Sequence, residues 1–473
     1  MRISFGQRIW RELLGPMSMS AVLKAHGHST TAAVADDVER LARALTLQRP
    51  DVVALTWGAD DHAFLGALVS HLRALSPRAR VIVGGPLATH APDLVFAAGP
   101  DALCVGEGEL ALLDYVEALQ AGGDGAGVAN LWVRRGDAIV KSPVRPLVAD
   151  LDALPDPDRA LYAAYPLIHQ NPQASVMATR GCPYSCTFCA SPALRRLYRG
   201  LGPAVRRRSA ERVVAEIAAI ASERDLRMVR FEDDTLALDR AWLRALLEGL
   251  RDRVGVPYVC YLRADQVDPP LATLLRETGC HFVCFGVETG DERRRVELLG
   301  KGILDRHLLE AARVLHDHGV RFYTTNMLGL PGETLADAWK TVELNQRLAP
   351  DDAWCSIFQP YPGLPITDEA LRQGLIAPAD VTQPGTRPFD RNALANRDAR
   401  AIFNLHKLFL PAVRLPALRP FLERWIRAPT GALNQPVFLA GMAWAYGQRS
   451  RVGPWRLLRE GAHWLRFFAG RRS

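Results

Sequence analysis

SVMATRGCPYSCTFC, residues 175–189, sets Cys182, Cys186 and Cys189 in a C-x-x-x-C-x-x-C spacing directly behind a short apolar run that reads as a β-strand. Three thiolates on one tight loop can hold three irons of a 4Fe-4S cubane and leave the fourth iron without a protein ligand. That iron is a position where a small molecule can bind. The alternative, a tetrahedral zinc site, wants a fourth Cys or His, and His281 is the only one that comes with further cysteines nearby. The chain carries eight cysteines, and the clustering of three within eight residues points to metal binding, not disulfides. Cys280 and Cys284 share a face of an apparent strand about four residue rises apart, too far for one mononuclear site. With Cys104, Cys260 and Cys355 they read as buried core thiols.

Outward from the cysteine loop, strand-then-helix units recur at residues 175–179, 228–231, 256–262, 282–287, 322–328 and 353–359, with amphipathic helices between them, as at 210–221 and 305–318. Six such units predict an incomplete parallel barrel, whose functional residues gather at the carboxyl ends of its strands. Those ends carry Phe231-Glu232-Asp233-Asp234, Arg263, Gly286-Val287-Glu288-Thr289, Gly329-Leu330-Pro331-Gly332-Glu333 and Tyr361-Pro362-Gly363. Taken singly, Asp233-Asp234 reads equally as a helix cap or solvated turn, and 329–333 as a turn before a helix.

Upstream, DVVALT (51–56), RVIVG (80–84) and DALCV (101–105) alternate with amphipathic segments such as 63–75, which predicts a doubly wound parallel sheet. The first strand is meagre, with only residues 3–5 to supply it. Strand ends carry Thr56-Trp57-Gly58, Gly84-Gly85-Pro86 and Gly106-Glu107-Gly108, small residues that let a bulky ligand approach the backbone. Gly106, Gly108 and Ala111 mimic a dinucleotide fingerprint, but that unit closes the domain when the fingerprint should open it. Residues 122–157, rich in Gly, Pro and Asp around an apparent hairpin at 131–142, read as a linker. The expected class is thus α/β: a doubly wound domain at 1–125, a linker with hairpin at 126–174, a partial (β/α)6 barrel at 175–375 and a basic helical region at 376–473.

Composition is that of a globular protein, 48% hydrophobic and 23% charged. No run approaches the roughly 18 apolar residues of a membrane span, and Arg2, Arg8, Arg11 and Glu12 interrupt any secretory core, so a cytoplasmic protein is expected. The basicity is local: residues 391–473 hold 15 Arg or Lys against 3 Asp or Glu. With Trp425, Trp444, Trp455 and Trp464 nearby, this tail is expected to cover the open side of the barrel. The competing expectation is peripheral docking on a membrane. Arg206-Arg207-Arg208 reads as a solvated face. No aromatic stacking surface accompanies these charges, which argues against a nucleic-acid partner.

The cysteine loop and the segments behind it resemble the radical-SAM superfamily, and residues 1 to about 375 resemble its cobalamin-binding branch. By that resemblance S-adenosylmethionine chelates the open iron, and an electron from a flavodoxin- or ferredoxin-type partner cleaves it to a 5′-deoxyadenosyl radical. Phe188 would pack on the adenine, and Glu232, Glu288 and Gly329 would line the S-adenosylmethionine site. Asp233, Asp234 and Arg263 would handle substrate. Residues 13–28, 81–89 and 102–109 match the cobalamin domain, so Thr56, Gly84, Gly85, Gly106 and Gly108 would line the nucleotide tail of cobalamin. The Asp-x-His-x-x-Gly motif that places histidine on cobalt is missing. Asp60-Asp61-His62 with Gly66 has one residue too many and follows a later strand, so His62 reads as a helix N-terminal residue, and Trp57 is expected to cap the lower face.

The leading expectation is methylation of an unactivated carbon in a small-molecule or lipid-like substrate. The nearest alternative is a radical cyclase or rearrangement enzyme of the same branch. A non-enzymatic iron-sulfur or nucleic-acid-binding protein is the reading from another class. A methylthiotransferase is disfavoured, because that branch carries three further cysteines in its N-terminal domain, where this chain has only Cys104.

Overall fold

A computed structural model describes residues 1–58, 62–382 and 397–450. The N-terminal sheet has seven strands in the order β2-β1-β3-β4-β5-β6-β7. They are β1 (Arg2–Gln7), β2 (Ser29–Val34), β3 (Val52–Thr56), β4 (Arg80–Gly84), β5 (Ala102–Cys104), β6 (Leu131–Arg135) and β7 (Ala138–Lys141). The first five are parallel. The meagre first strand is in fact flanked on both sides, by β2 and β3. Polar and tiny residues hide it in the sequence: Ser4 hydrogen-bonds Thr31 (2.9 Å), and a Cβ at Gly6 would come within 2.6 Å of Leu55. β2, sequence STTAAV, lacks the bulky β-branched run that announces a strand and was not anticipated. The hairpin assigned to the linker pairs instead with β5 in antiparallel register, Leu103 opposite Trp132, and extends the sheet.

The second sheet is six parallel strands, in the order β15-β14-β13-β12-β11-β8. They run β8 (Gln173–Val176), β11 (Met228–Phe231), β12 (Tyr258–Leu262), β13 (Cys280–Glu288), β14 (Phe322–Leu328) and β15 (Asp352–Ile357), as the sequence units predict. A two-stranded ribbon, β9 (Thr179–Arg180) with β10 (Arg206–Arg207), hangs from the cysteine loop. Outside the barrel the helices bury Val213, Ile217, Leu246 and Leu308 against the strands, and inside, Met228, Phe282, Cys284 and Tyr323 fill the lower layer. Cys104, Cys260, Cys284 and Cys355 are buried as expected, whereas Cys280 is half-buried.

The described part of the tail packs on the barrel. Ile402, Leu405, Phe409 and Leu422 bury against Trp339, Val342 and Cys355, so these helices sit beside β14 and β15. The helix Gly431–Ser450 then ends at the lower rim, where His281 meets the Gln448 carbonyl (2.9 Å) and Arg449 lies over Tyr323 (4.6 Å) and 3.3 Å from Asp352. No helix among the described residues is long and apolar enough to cross a membrane. Trp455 and Trp464 lie outside the described residues.

Buried charges join the two domains. Glu12 accepts from Arg159 (2.7 Å) and Arg224 (2.8 Å), and Arg159 also reaches Glu216 (2.6 Å), which Arg208 holds from its other side. The arginine run is therefore not a solvated face: Arg206 and Arg208 are buried, and only Arg207 stands out, paired with Asp239. Alternation along a short strand turns two of three side chains inward, where acids from elsewhere meet them.

Candidate functional site

The cysteine loop is fastened at both ends. Where the chain leaves β8, Asp233 accepts from the Thr179 amide (2.5 Å), the Thr179 hydroxyl (2.6 Å) and the Ala178 amide (3.3 Å). Burial pushes its carboxyl up to about 6 even against those donors. Asp233, a catalytic candidate in the sequence, thus faces backbone and positions the loop. Gly181 follows with φ +95, and a Cβ there would stand 2.1 Å from the Ala204 carbonyl. Arg195 ties the loop from the next helix, Ser191–Leu197, donating to the carbonyls of Cys182 (3.2 Å) and Tyr184 (3.1 Å). Thr187 donates its amide to Leu299 (2.9 Å) and its hydroxyl to Leu298 (2.6 Å).

Among the described residues no three Cys, His, Asp or Glu side chains converge on a single ion. Cys182, Cys186 and Cys189, half-buried on one loop, are a donor set that can give a cubane one thiolate for each of three irons. Around it stand the other strand-end residues. Arg263 stacks over Tyr184 of the loop (3.6 Å) while gripping Asp265, so this candidate also braces the loop. Glu232 accepts from Ser175 (2.8 Å) and lies 3.4 Å from Arg230, and Asp234 accepts from Ser191 (2.8 Å). Glu288, at φ +65 on a bulge in β13, takes an ion pair from Lys301 (2.6 Å), a residue the sequence did not single out. Phe188 rests on a shelf made by Leu299, Leu330, Phe358 and Tyr361. Gly329, at φ +79, donates its amide to the buried carboxylate of Glu333.

At the other sheet, Thr56, Gly84, Gly85, Gly106 and Gly108 line one slot of about 140 Å³, with Met19, Cys104 and Leu112 opposite. Side chains would fill it: a Cβ on Gly84 would touch Cys104, and one on Gly108 would come within 2.9 Å of the Met19 sulfur. A slot walled by bare backbone at the strand ends fits the flat tail of a cobalamin. Trp57, expected at the cobalt face, is buried in the layer behind the sheet, stacked on Phe64 (5.7 Å), and does not line this slot. Residues 59–61 lie outside the described residues, as does the His62 side chain.

A cavity of about 900 Å³ runs between the two sites. Cys182, Glu232, Asp234 and Pro365 bound it on the barrel side, Pro86 and Glu107 on the sheet side. Glu107 ties the domains together, accepting from Arg206 and from Arg180 (3.3 Å), which also reaches Glu109 (2.6 Å). Burial would raise the Glu107 carboxyl, but the two arginines outweigh it and hold the group below its usual range. Tyr198, whose hydroxyl accepts from the Glu107 amide (2.7 Å) and Asn130 (3.1 Å), inserts where a Cβ on Gly106 would be. Nothing in sequence periodicity marks Tyr198, Lys301 or Arg195, whose roles depend on partners far along the chain.

Comparison with known proteins places both halves. The model of the radical SAM superfamily matches residues 176–344, and that of the B12 binding domain matches residues 14–116. An uncharacterised methyltransferase of Pyrococcus horikoshii is 27% identical over 368 residues, covering 76% of this chain and 78% of that protein. The anaerobic magnesium-protoporphyrin IX monomethyl ester cyclase of Rubrivivax gelatinosus is 25% identical over 360 residues, covering 73% and 63%. Among solved structures, the radical S-adenosylmethionine methyltransferase TsrM of Kitasatospora setae, with cobalamin and a 4Fe-4S cluster bound, shares the fold at a TM-score of 0.67, with 16% identity, 93% of this chain and 99% of that one covered. The cysteine loop, the glycine slot and the two matched models together establish that the chain belongs to the radical SAM superfamily, in the branch that carries a B12 binding domain ahead of the catalytic barrel.

Proposed function

We propose that this enzyme methylates an unactivated carbon of a small molecule. The observation that carries the reading is the single cavity reaching from Cys182 to Glu107: a radical source and a methyl carrier would face one substrate across it. Cys182, Cys186 and Cys189 would hold the cluster, and the slot at Gly84, Gly85, Gly106 and Gly108 the cobalamin tail. When bound, the cluster supplies the electron that opens S-adenosylmethionine, and cobalamin supplies the methyl group. The chain's own residues orient and exclude: Phe188 offers its ring to the adenine, Glu232 and Glu288 accept from the methionine ammonium, and Asp234 is free to turn from Ser191 toward substrate. Asp233 and Arg263 position the loop. A reduced flavodoxin- or ferredoxin-type protein is the electron donor.

The test is anaerobic reconstitution with iron, sulfide and cobalamin, then incubation of extracts of the producing cell with methyl-labelled S-adenosylmethionine. Label in a carbon-bound methyl of one product, with 5′-deoxyadenosine formed alongside, supports the reading. Replacing the three cysteines by Ala removes the visible cluster absorption and the 5′-deoxyadenosine. A second reading, radical ring formation without methyl transfer, is favoured by the similarity to the cyclase; it predicts 5′-deoxyadenosine and an unlabelled product.

A further inference from the structure

Most charged side chains on the walls of the 900 Å³ cavity already have partners. Arg180 and Arg206 hold Glu107, Arg195 holds loop carbonyls, Glu232 has Ser175 and Arg230, and Asp234 has Ser191. Arg196 and Arg199 differ. Both line the cavity, and among the described residues neither has a side-chain hydrogen bond or ion pair. Arg196 is on the last turn of the helix Ser191–Leu197, and Arg199 follows just past its C-cap, Tyr198. Across the domain boundary stands His90, at the end of the helix Pro86–His90, whose Nε2 is screened from water without a hydrogen-bond partner. Burial and then the charge of Arg196 lower its affinity for a proton. Both arginines are exposed to solvent as well as lining the cavity, and helix-end electrostatics favours Arg196 on the last turn by about 0.3–1 kcal/mol.

We propose that Arg196 and Arg199 form a recognition site for an anionic group, a phosphate, phosphonate or carboxylate, on a ligand of this cavity. The proposal rests on reading the cavity as the reaction chamber, and where the anion belongs to the substrate it makes that substrate an acidic or phosphorylated molecule and not a neutral lipid. A guanidinium pair suits such oxyanions because its planar donors match two oxygens at once. The same chemistry is offered by the phosphodiester of cobalamin, whose tail would occupy the neighbouring glycine slot.

The experiment is phenylglyoxal labelling of the cluster-reconstituted protein, mapped by peptide mass spectrometry, with the exposed Arg207 as internal reference. On the cobalamin-loaded protein, inorganic pyrophosphate is expected to slow labelling of Arg196 and Arg199 by about tenfold, through charge-assisted hydrogen bonds, and to leave Arg207 unchanged. Protection by cobalamin itself, but not by cobinamide, which lacks the phosphodiester, identifies the cofactor as the source of the anion. Pyrophosphate protection on top of bound cobalamin identifies the substrate. Labelling that neither pyrophosphate nor cobalamin changes, or equal protection by both corrinoids with none by pyrophosphate, overturns the site. No turnover is needed, so loss of the methylation reading through the isotope experiment and loss of the anion site are separate results.

Discussion

At the scale of single residues, the geometry of the loop makes contrasts that can be measured. Gly181 has φ +95 and the Ala204 carbonyl 2.1 Å from where a Cβ would be, whereas Gly200, at φ +78, has open space around it. Gly181→Ala is expected to cost at least about 2 kcal/mol and to lower the iron bound after reconstitution, and Gly200→Ala to cost about 1 kcal/mol and leave iron unchanged. Chemical denaturation and iron assay compare the two. Glu333 gives a pH prediction. Burial pushes its carboxyl up to about 8, although the Gly329 and Leu330 amides donate to it. A carboxyl raised on folding contributes stability below its unfolded value of 4.5 and loses that contribution as pH rises toward 8. Glu333→Gln stays neutral, so its melting temperature relative to wild type is expected to rise by several degrees between about pH 5 and pH 9, and parallel curves would refute this. The sequence marked Asp233 as an acid at a strand end, which it is. That its oxygens turn to Ala178 and Thr179 depends on a neighbour 54 residues away and has no local signature.

Among the elements, the six barrel strands were legible because each is a compact apolar run bounded by turn residues. β2 was not, and β1 only through residues 3–5, since the sheet accepts Ser4, Gly6 and an Ala-Thr run wherever neighbouring strands cover them. The hairpin was seen but misplaced: pairing to β5 is a long-range choice that alternation does not announce. The tail packs on the barrel and leaves part of its apolar surface bare. Its inner side buries Ile402, Leu405 and Phe409 on the barrel, while Leu415, Leu418, Phe421, Leu433, Val437 and Trp444 remain exposed amid arginines. Such a face is drawn to anionic headgroups at about 1 kcal/mol per basic residue near the surface. The full chain is therefore expected to co-sediment with anionic but not neutral vesicles at low salt, and to be released as salt rises. Equal recovery in the supernatant with both vesicles would leave the tail a cover alone.

For the molecule as a whole, a network of buried charges ties the domains together. Arg159 sits between Glu12 of the first domain and Glu216 of the second, all three buried. Removing the shared cation leaves Glu12 with Arg224 and Glu216 with Arg208, so the cost is below the about 3–5 kcal/mol of a buried charge left with no partner. Arg159→Ala is expected to lower the melting temperature and to split one calorimetric transition into two, as sheet and barrel come apart; a single, unshifted transition would show the network to be dispensable. The contact at Gly106 leads elsewhere. Tyr198 belongs to the cluster half of the chain, yet its hydroxyl occupies the place that any side chain at 106 would need. Residue 106 is held to glycine twice over, since its φ of +86 strains any side chain whatever the space and the Tyr198 hydroxyl fills the room a Cβ would need. The backbone of the first domain already leaves that place bare, and the second domain has put a hydroxyl into it.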